Sequence, residues 1–339
     1  MWRRIGIAGC IGLLLAGLAF LVLRNDEPTY QNRRISLILA DWAARKPGVP
    51  INEALSKIGT NALPYAIRSL ARNDSTLLNK YRDTRLKLPK FLQKILPQPE
   101  PNLQVVDGAN VFGYIGPFAV PQAIALLKHD SPSVRQAAAW GLGSLRAKST
   151  AANAAIPALT EALRDPERMV RFYAALAFKA MGSDASNAVP ALTKVVADVG
   201  VGSQANDFFY LRAAAAAALG KIGRTAKDAV PTLKNALAAP NSNLRGQAAV
   251  AIWRISGDMD AALPVLLQEM PLTSEHSKWD WVIALGEMGT RAHAAIPQLE
   301  TELTQDKERW VLGYVTNALL QIDPEAPAKV GVLPAAPKE

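Results

Sequence analysis

The 339-residue chain carries 38 Lys and Arg against 29 Asp and Glu, is 50% hydrophobic but only 6% aromatic, and holds a single cysteine, Cys10. A core so aliphatic, rich in Ala and Leu and poor in β-branched residues, excludes a large sheet and points to an all-α protein, while one cysteine excludes an intrachain disulfide, a thiolate zinc site and a CxxC redox pair. The net charge of +9 does not make the body a nucleic-acid binder, because residues 1–24 hold 3 cations and no acid, residues 25–102 hold 13 against 7, and residues 103–339 hold 22 against 22.

In chain order, the first element is an apolar run. Ile5 to Leu23 are 19 positions without a charge, preceded by Arg3 and Arg4 and followed by Arg24. As a helix this run is about 28 Å long, enough for a bilayer core. Gly17 and Ala19 form a weak cleavage pair through which the apolar run continues, so residues 1–24 are expected to be an uncleaved signal-anchor and single-pass transmembrane helix. Secretion into the periplasm after cleavage is the alternative. The IAGC sequence ending at Cys10 imitates a lipoprotein signal, but its apolar stretch follows the cysteine instead of preceding it. A basic tail before the run favours an extracytoplasmic body. Residues 25–49 read as a juxtamembrane segment.

Beyond residue 50 the chain repeats itself. Seven segments align on one proline: ALPYAIRSL at Pro64, AVPQAIALL at Pro121, AIPALTEAL at Pro157, AVPALTKVV at Pro190, AVPTLKNAL at Pro231, ALPVLLQEM at Pro264 and AIPQLETEL at Pro297. Each proline suits the first turn of a helix, where its missing N–H costs nothing. A polar turn follows, and then a second helix with the pattern VRQAAAWGL, VRFYAALAF, LRAAAAAAL or LRGQAAVAI. That helix commonly closes on glycine (Gly59, Gly116, Gly182, Gly223, Gly289), the residue suited to a helix C-cap. The first unit spans residues 50–70, a basic insertion spans 71–103, the remaining units span 104–323, and a Pro/Ala-rich tail spans 324–339 and is expected to lack order.

These residues resemble the HEAT family, above all its short bacterial variant of the phycobilisome-lyase type, over nearly all of the body. The resemblance implies a right-handed α-solenoid of about seven stacked helical hairpins whose second helices line a concave face. It also implies interaction with a protein or peptide partner, so the leading expectation is a membrane-anchored scaffold and not an enzyme. An accessory lyase or chaperone for a prosthetic group is the alternative, and a nucleic-acid-binding HEAT protein a weaker one. HEAT-type iron hydroxylases carry several His-Glu pairs, whereas His129, His276 and His293 here fall in no such pair and in no HExxH motif. No Walker loop, G-x-S-x-G or dinucleotide fingerprint occurs, so no catalytic, metal or cofactor-binding residues are assigned.

Three residue sets remain. A cation recurs at one equivalent position, Arg135, Arg171, Arg212, Arg245 and Lys278, and is expected to form a structural ladder; Asp165 has the six-residue spacing to pair with Arg171. One and five positions further along each second helix lies a stripe holding Trp140, Phe172, Leu176, Val250, Trp279 and Ile283, with Tyr173 and Trp253 beside it. Large apolar groups at variable positions mark either a partner-binding surface or gap filling between alanines. Phe208, Phe209 and Tyr210 pose the same choice, with core expected. Finally Lys80, Arg82, Arg85, Lys87, Lys90 and Lys94 face a single acid, Asp83. They suggest contact with anionic lipid or, alternatively, a solvated helix face covering Phe91, Leu92, Ile95 and Leu96.

Overall fold

The computed structural model describes residues 27–96, 102–146, 150–198, 205–270, 275–305 and 309–326. The expected membrane span over residues 5–23 and most of the expected tail lie outside them. Among the described residues no single helix is long and apolar enough to cross a membrane.

The described chain opens with a small hairpin, β1 (Thr29–Tyr30) and β2 (Arg33–Arg34), paired antiparallel. Two helices follow, α1 (Ile35–Ala43) and α2 (Ile51–Ile58). Within the expected juxtamembrane segment, residues 27–49 thus hold a hairpin and a helix. Ile35, Ile38 and Leu39 repeat at helical spacing, lie on one face and are buried, and the Tyr30 hydroxyl donates to Glu53 at 2.6 Å. This pair closes the N-terminal end of the array and lacks the proline that marks the other units.

Seven proline-anchored pairs come next. The first helices are α3 (Leu63–Ala71), α7 (Val120–Leu126), α9 (Ile156–Ala162), α11 (Val189–Ala197), α13 (Val230–Ala236), α15 (Met259–Glu269) and α17 (Ile296–Gln305). The second helices are α6 (Val105–Ile115), α8 (Pro132–Arg146), α10 (Arg168–Met181), α12 (Ala205–Ile222), α14 (Ser242–Ser256), α16 (Glu275–Met288) and α18 (Arg309–Ile322). Between α3 and α6 the basic insertion forms its own helical hairpin, α4 (Thr76–Lys87) and α5 (Lys90–Ile95).

Six of the seven prolines sit in the first turn of their helix. Pro264 is the exception, lying inside α15 because Asp258 accepts the Ala261 amide at 3.1 Å and starts the helix earlier. The glycines Gly59, Gly116, Gly182, Gly223 and Gly289 all have positive φ, between 58° and 84°, which only glycine adopts without strain. A short 3-10 turn usually leads from there into the next first helix.

Second helices stack closely because small residues face each other. A Cβ on Gly143 would lie 3.0 Å from the Ala177 Cα, one on Gly220 2.9 Å from the Ala251 Cα, and one on Gly286 3.0 Å from the Ala318 Cα. Backbones can approach this way only where side chains are nearly absent. Burial then falls into one apolar core from Tyr30 to Ile255 and a second from Ala249 to Ala326.

Candidate functional site

Arg135, Arg171 and Arg245 each stand near the start of their second helix and fold back onto the preceding turn. Arg135 donates to the His129 carbonyl at 2.9 Å, Arg171 to the Asp165 carbonyl at 2.7 Å, and Arg245 to the Ala239 carbonyl at 2.6 Å. Arg212 reaches the Val196 carbonyl at 2.8 Å across the longer connection, and its burial pulls the guanidinium pKa down while Asp198 opposes. These bonds satisfy carbonyls at the end of the first helix or in the turn.

The same cations also reach forward. Arg135 clamps the Asp165 carboxylate at 2.7 and 2.9 Å, and Arg245 clamps Glu269 at 2.6 and 2.7 Å, each acid belonging to the next unit. The Asp165 carboxylate is thus tied to the unit before it, whereas Arg171, six residues on, meets its carbonyl. The side chain of Lys278 lies outside the described residues. Two inter-unit clefts of about 390 and 410 Å³ flank the ladder, the first lined by Arg164, Arg171, Lys194 and Asp198, the second by Arg135 and Asp165.

The stripe is not continuous. At its first end Trp140 stacks on Tyr173 across two second helices, with ring centroids 4.8 Å apart and planes 11° apart, and Phe172 meets Tyr173 edge-on at 5.5 Å. Leu176 lies one turn beyond Phe172, and all four residues are half-buried. Burial raises the Tyr173 pKa. At the other end Trp279 stacks on Tyr314 at 5.6 Å, with Ile283 one turn further along.

Between these ends the face is closed. Val250 is only 1% exposed, so it belongs to the core and not to a surface. Ala213 to Ala218 are buried as well, and Trp253 packs against the second core. Tyr210, expected in the core, is exposed, while the side chains of Phe208 and Phe209 lie outside the described residues.

An ion pair spans the closed middle. Lys179 on α10 meets Asp280 on α16 at 2.5 Å, although α12 and α14 stand between those helices in the stack. Such a contact requires the second helices to lie on the inside of a tight curve. Burial raises the Asp280 pKa, but the charge and hydrogen bond of Lys179, with Arg254 and Lys221, outweigh it and hold the carboxyl below its ordinary value. Lys221 is pulled down, first by desolvation and then by Arg254, with Asp280 and Glu287 opposing. Arg254 in turn clamps Glu287 at 3.0 and 3.1 Å. Sequence reasoning missed this cluster. Its signal was the recurrence of Lys179, Lys221, Arg254 and Glu287 eight or nine positions after four of the five ladder cations, Arg171, Arg212, Arg245 and Lys278.

Among the described residues no group of three or more His, Cys, Asp or Glu converges as a metal site would require. The His129 ring nitrogen accepts the Ser131 amide at 3.0 Å and so serves the turn.

A family described as HEAT repeats matches residues 111–200 and 202–276. The fold is a HEAT-repeat solenoid. Among solved structures the chain is similar to Kap121p, with 14% identity, a TM-score of 0.51, and coverage of 87% of this chain and 34% of that one. It is also similar to the complex of CpcE and CpcF of phycocyanin lyase from Nostoc sp. PCC7120, at 21% identity, with 70% and 96% coverage and a TM-score of 0.47. An archaeal HEAT-like repeats protein from Thermococcus onnurineus NA1 matches at 12% identity, with 65% and 92% coverage and a TM-score of 0.40. No curated protein matches the chain in sequence. At its identity the likeness to Kap121p speaks to the fold alone.

Proposed function

We propose that this chain is a membrane-tethered scaffold whose HEAT-repeat solenoid captures a protein or peptide partner, acting by binding and not by catalysis. The observation that carries the reading is the aromatic cluster Trp140, Phe172 and Tyr173, with Leu176 beside it, half-exposed on the inner side of the curve. The same helix face two units further on is alanine and fully covered. Large rigid aromatics at the mouth of a curved surface are the residue types that dominate protein interfaces.

The uncharged run from Ile5 to Leu23 is the proposed tether, with the solenoid on the extracytoplasmic side. It confines the solenoid to the membrane plane and raises its effective concentration towards partners held there. A body with 22 cations against 22 acids supplies no general field for nucleic acid.

Recovery of partners with the full-length chain tests the capture. Replacing Trp140 and Phe172 together by Ala removes two contacts each worth about 2 kcal/mol if they are hot spots. Partner recovery should fall at least about tenfold while circular dichroism stays helical, and undiminished recovery would remove the aromatic cluster as the capture surface. The tether is tested separately: the chain should remain in the membrane pellet through carbonate washing, and release by that wash would refute it.

A further inference from the structure

The basic insertion between α3 and α6 is built unlike the rest of the molecule. No side chain in α4 or α5 is buried, so the reading in which lysines screen a covered apolar face does not hold. Leu86 is 70% exposed, Phe91 63% and Ile95 75%. On α5, Phe91 and Ile95 stand one turn apart, and Lys90 and Lys94, also one turn apart, run directly beside them and are exposed.

The hairpin is nonetheless ordered by its own bonds. Ser75 caps α4 by accepting the Leu78 amide at 3.3 Å. Gln93 donates to the Leu88 carbonyl at 2.7 Å and the Leu86 carbonyl at 3.2 Å, and Arg85 donates to the Gln93 carbonyl, so α5 is folded back against the end of α4. The hairpin therefore presents a fixed tip on which Leu86, Phe91 and Ile95 alternate with Lys87, Lys90 and Lys94.

We infer that this tip docks onto an anionic lipid surface, its apolar side chains entering the headgroup boundary while its lysines lie among the lipid phosphates. Two properties select lipid as the occupant. The segment from Thr76 to Leu96 carries six cations against one acid, while the repeat body is balanced, so its charge complements an anionic sheet. Lysines beside exposed Phe91 and Ile95 on α5, with exposed Leu86 at the end of α4, match an interfacial anchor, where long cationic stems reach polar headgroups from an apolar base. The inference rests on the proposed tether, which holds the hairpin within reach of the bilayer, and it adds a second contact that fixes how the solenoid stands on the membrane.

Hydrogen exchange of the full-length chain in nanodiscs tests it. In discs containing about one third phosphatidylglycerol, amides of residues 76–96 should exchange about tenfold more slowly than in pure phosphatidylcholine discs. The protection should vanish in high salt and in the double variant Lys90→Glu with Lys94→Glu, which touches no buried residue. Equal exchange in both lipids would overturn the inference and leave the tether standing. So would protection that appears only when soluble cell proteins are added, since a protein would then be the occupant. If the chain does not enter discs, the tether fails, and flotation of the same chain with phosphatidylglycerol vesicles decides the hairpin: flotation absent with phosphatidylcholine supports it, and no flotation overturns it.

Discussion

Glu269 has almost no contact with water, at 1% exposure, and the paired donors of Arg245 make that position tolerable for a carboxylate. Burial raises its pKa, yet the hydrogen bonds from Arg245 and Ser242 and the Arg245 charge outweigh burial and hold it below the ordinary glutamate value. A depressed folded pKa means the contribution is complete above the unfolded value, about 4.3, and is lost as pH falls through the folded one. Removing one partner of such a pair strands the other, so Arg245→Ala should cost about 3–5 kcal/mol at neutral pH. In that variant only the Ser242 hydrogen bond is left to oppose burial at Glu269, and urea titrations should show the loss shrinking as pH is lowered towards the carboxylate range. A loss independent of pH would contradict this account. Glycines give a sharper contrast. A Cβ on Gly246 would lie 2.0 Å from Trp281 Cζ2, whereas one on Gly313 meets nothing within 4 Å. Gly246→Ala should therefore destabilise by about 2 kcal/mol or more despite the better helix propensity of alanine, while Gly313→Ala in α18 should stabilise by up to about 1 kcal/mol. Thermal melts of the two variants check both signs.

Most capped helices in this chain start on a residue of their own, such as Asn241 for α14 and Asp258 for α15, but α8 is secured from another unit. Asp74, just before the insertion, accepts hydrogen bonds from the Ser133 amide at 3.1 Å, the Ser133 hydroxyl at 2.7 Å and the Ser131 hydroxyl, and so caps α8 of the following unit. Asp74→Ala should cost about 1–2 kcal/mol and, by loosening α8, raise exchange of amides 133–136 above that of α10; unchanged exchange would show that the cap is replaceable. The prolines and closing glycines made most of these helices legible in sequence, because each acts locally through its own φ. What escaped reading acts between units. The pair α1 and α2 has helical spacing but no anchor proline, and Pro264 is overruled by the Asp258 cap, which lies six residues upstream and starts α15 at Met259. The acid clamped by Arg135 lies 30 residues away, and Val250 shares the position of Trp140 in its repeat yet is buried in the second apolar core with Trp281. Spacing within a unit cannot report how neighbouring units tilt.

Curvature is set at the scale of the whole molecule, and the Lys179–Asp280 pair is its clasp, joining residues 101 positions apart. It spans the middle of the inner face, between the aromatic clusters at the two ends. The Asp280 pKa is held down, so the clasp is complete at neutral pH and is lost as pH falls through that depressed value. Lys179→Glu should set two acids against each other and open the curve, read as a larger radius of gyration by small-angle scattering with helicity unchanged; an identical scattering profile would mean that packing alone sets the curve. The central claim, capture of a protein at the first end of the inner face, is tested most directly by a photo-crosslinking residue placed at Leu176 in intact cells. A recurring protein adduct from that position, absent when the same residue replaces the exposed Gln122 on α7, is the predicted result. No adduct at Leu176, or the same adducts from both positions, would contradict it.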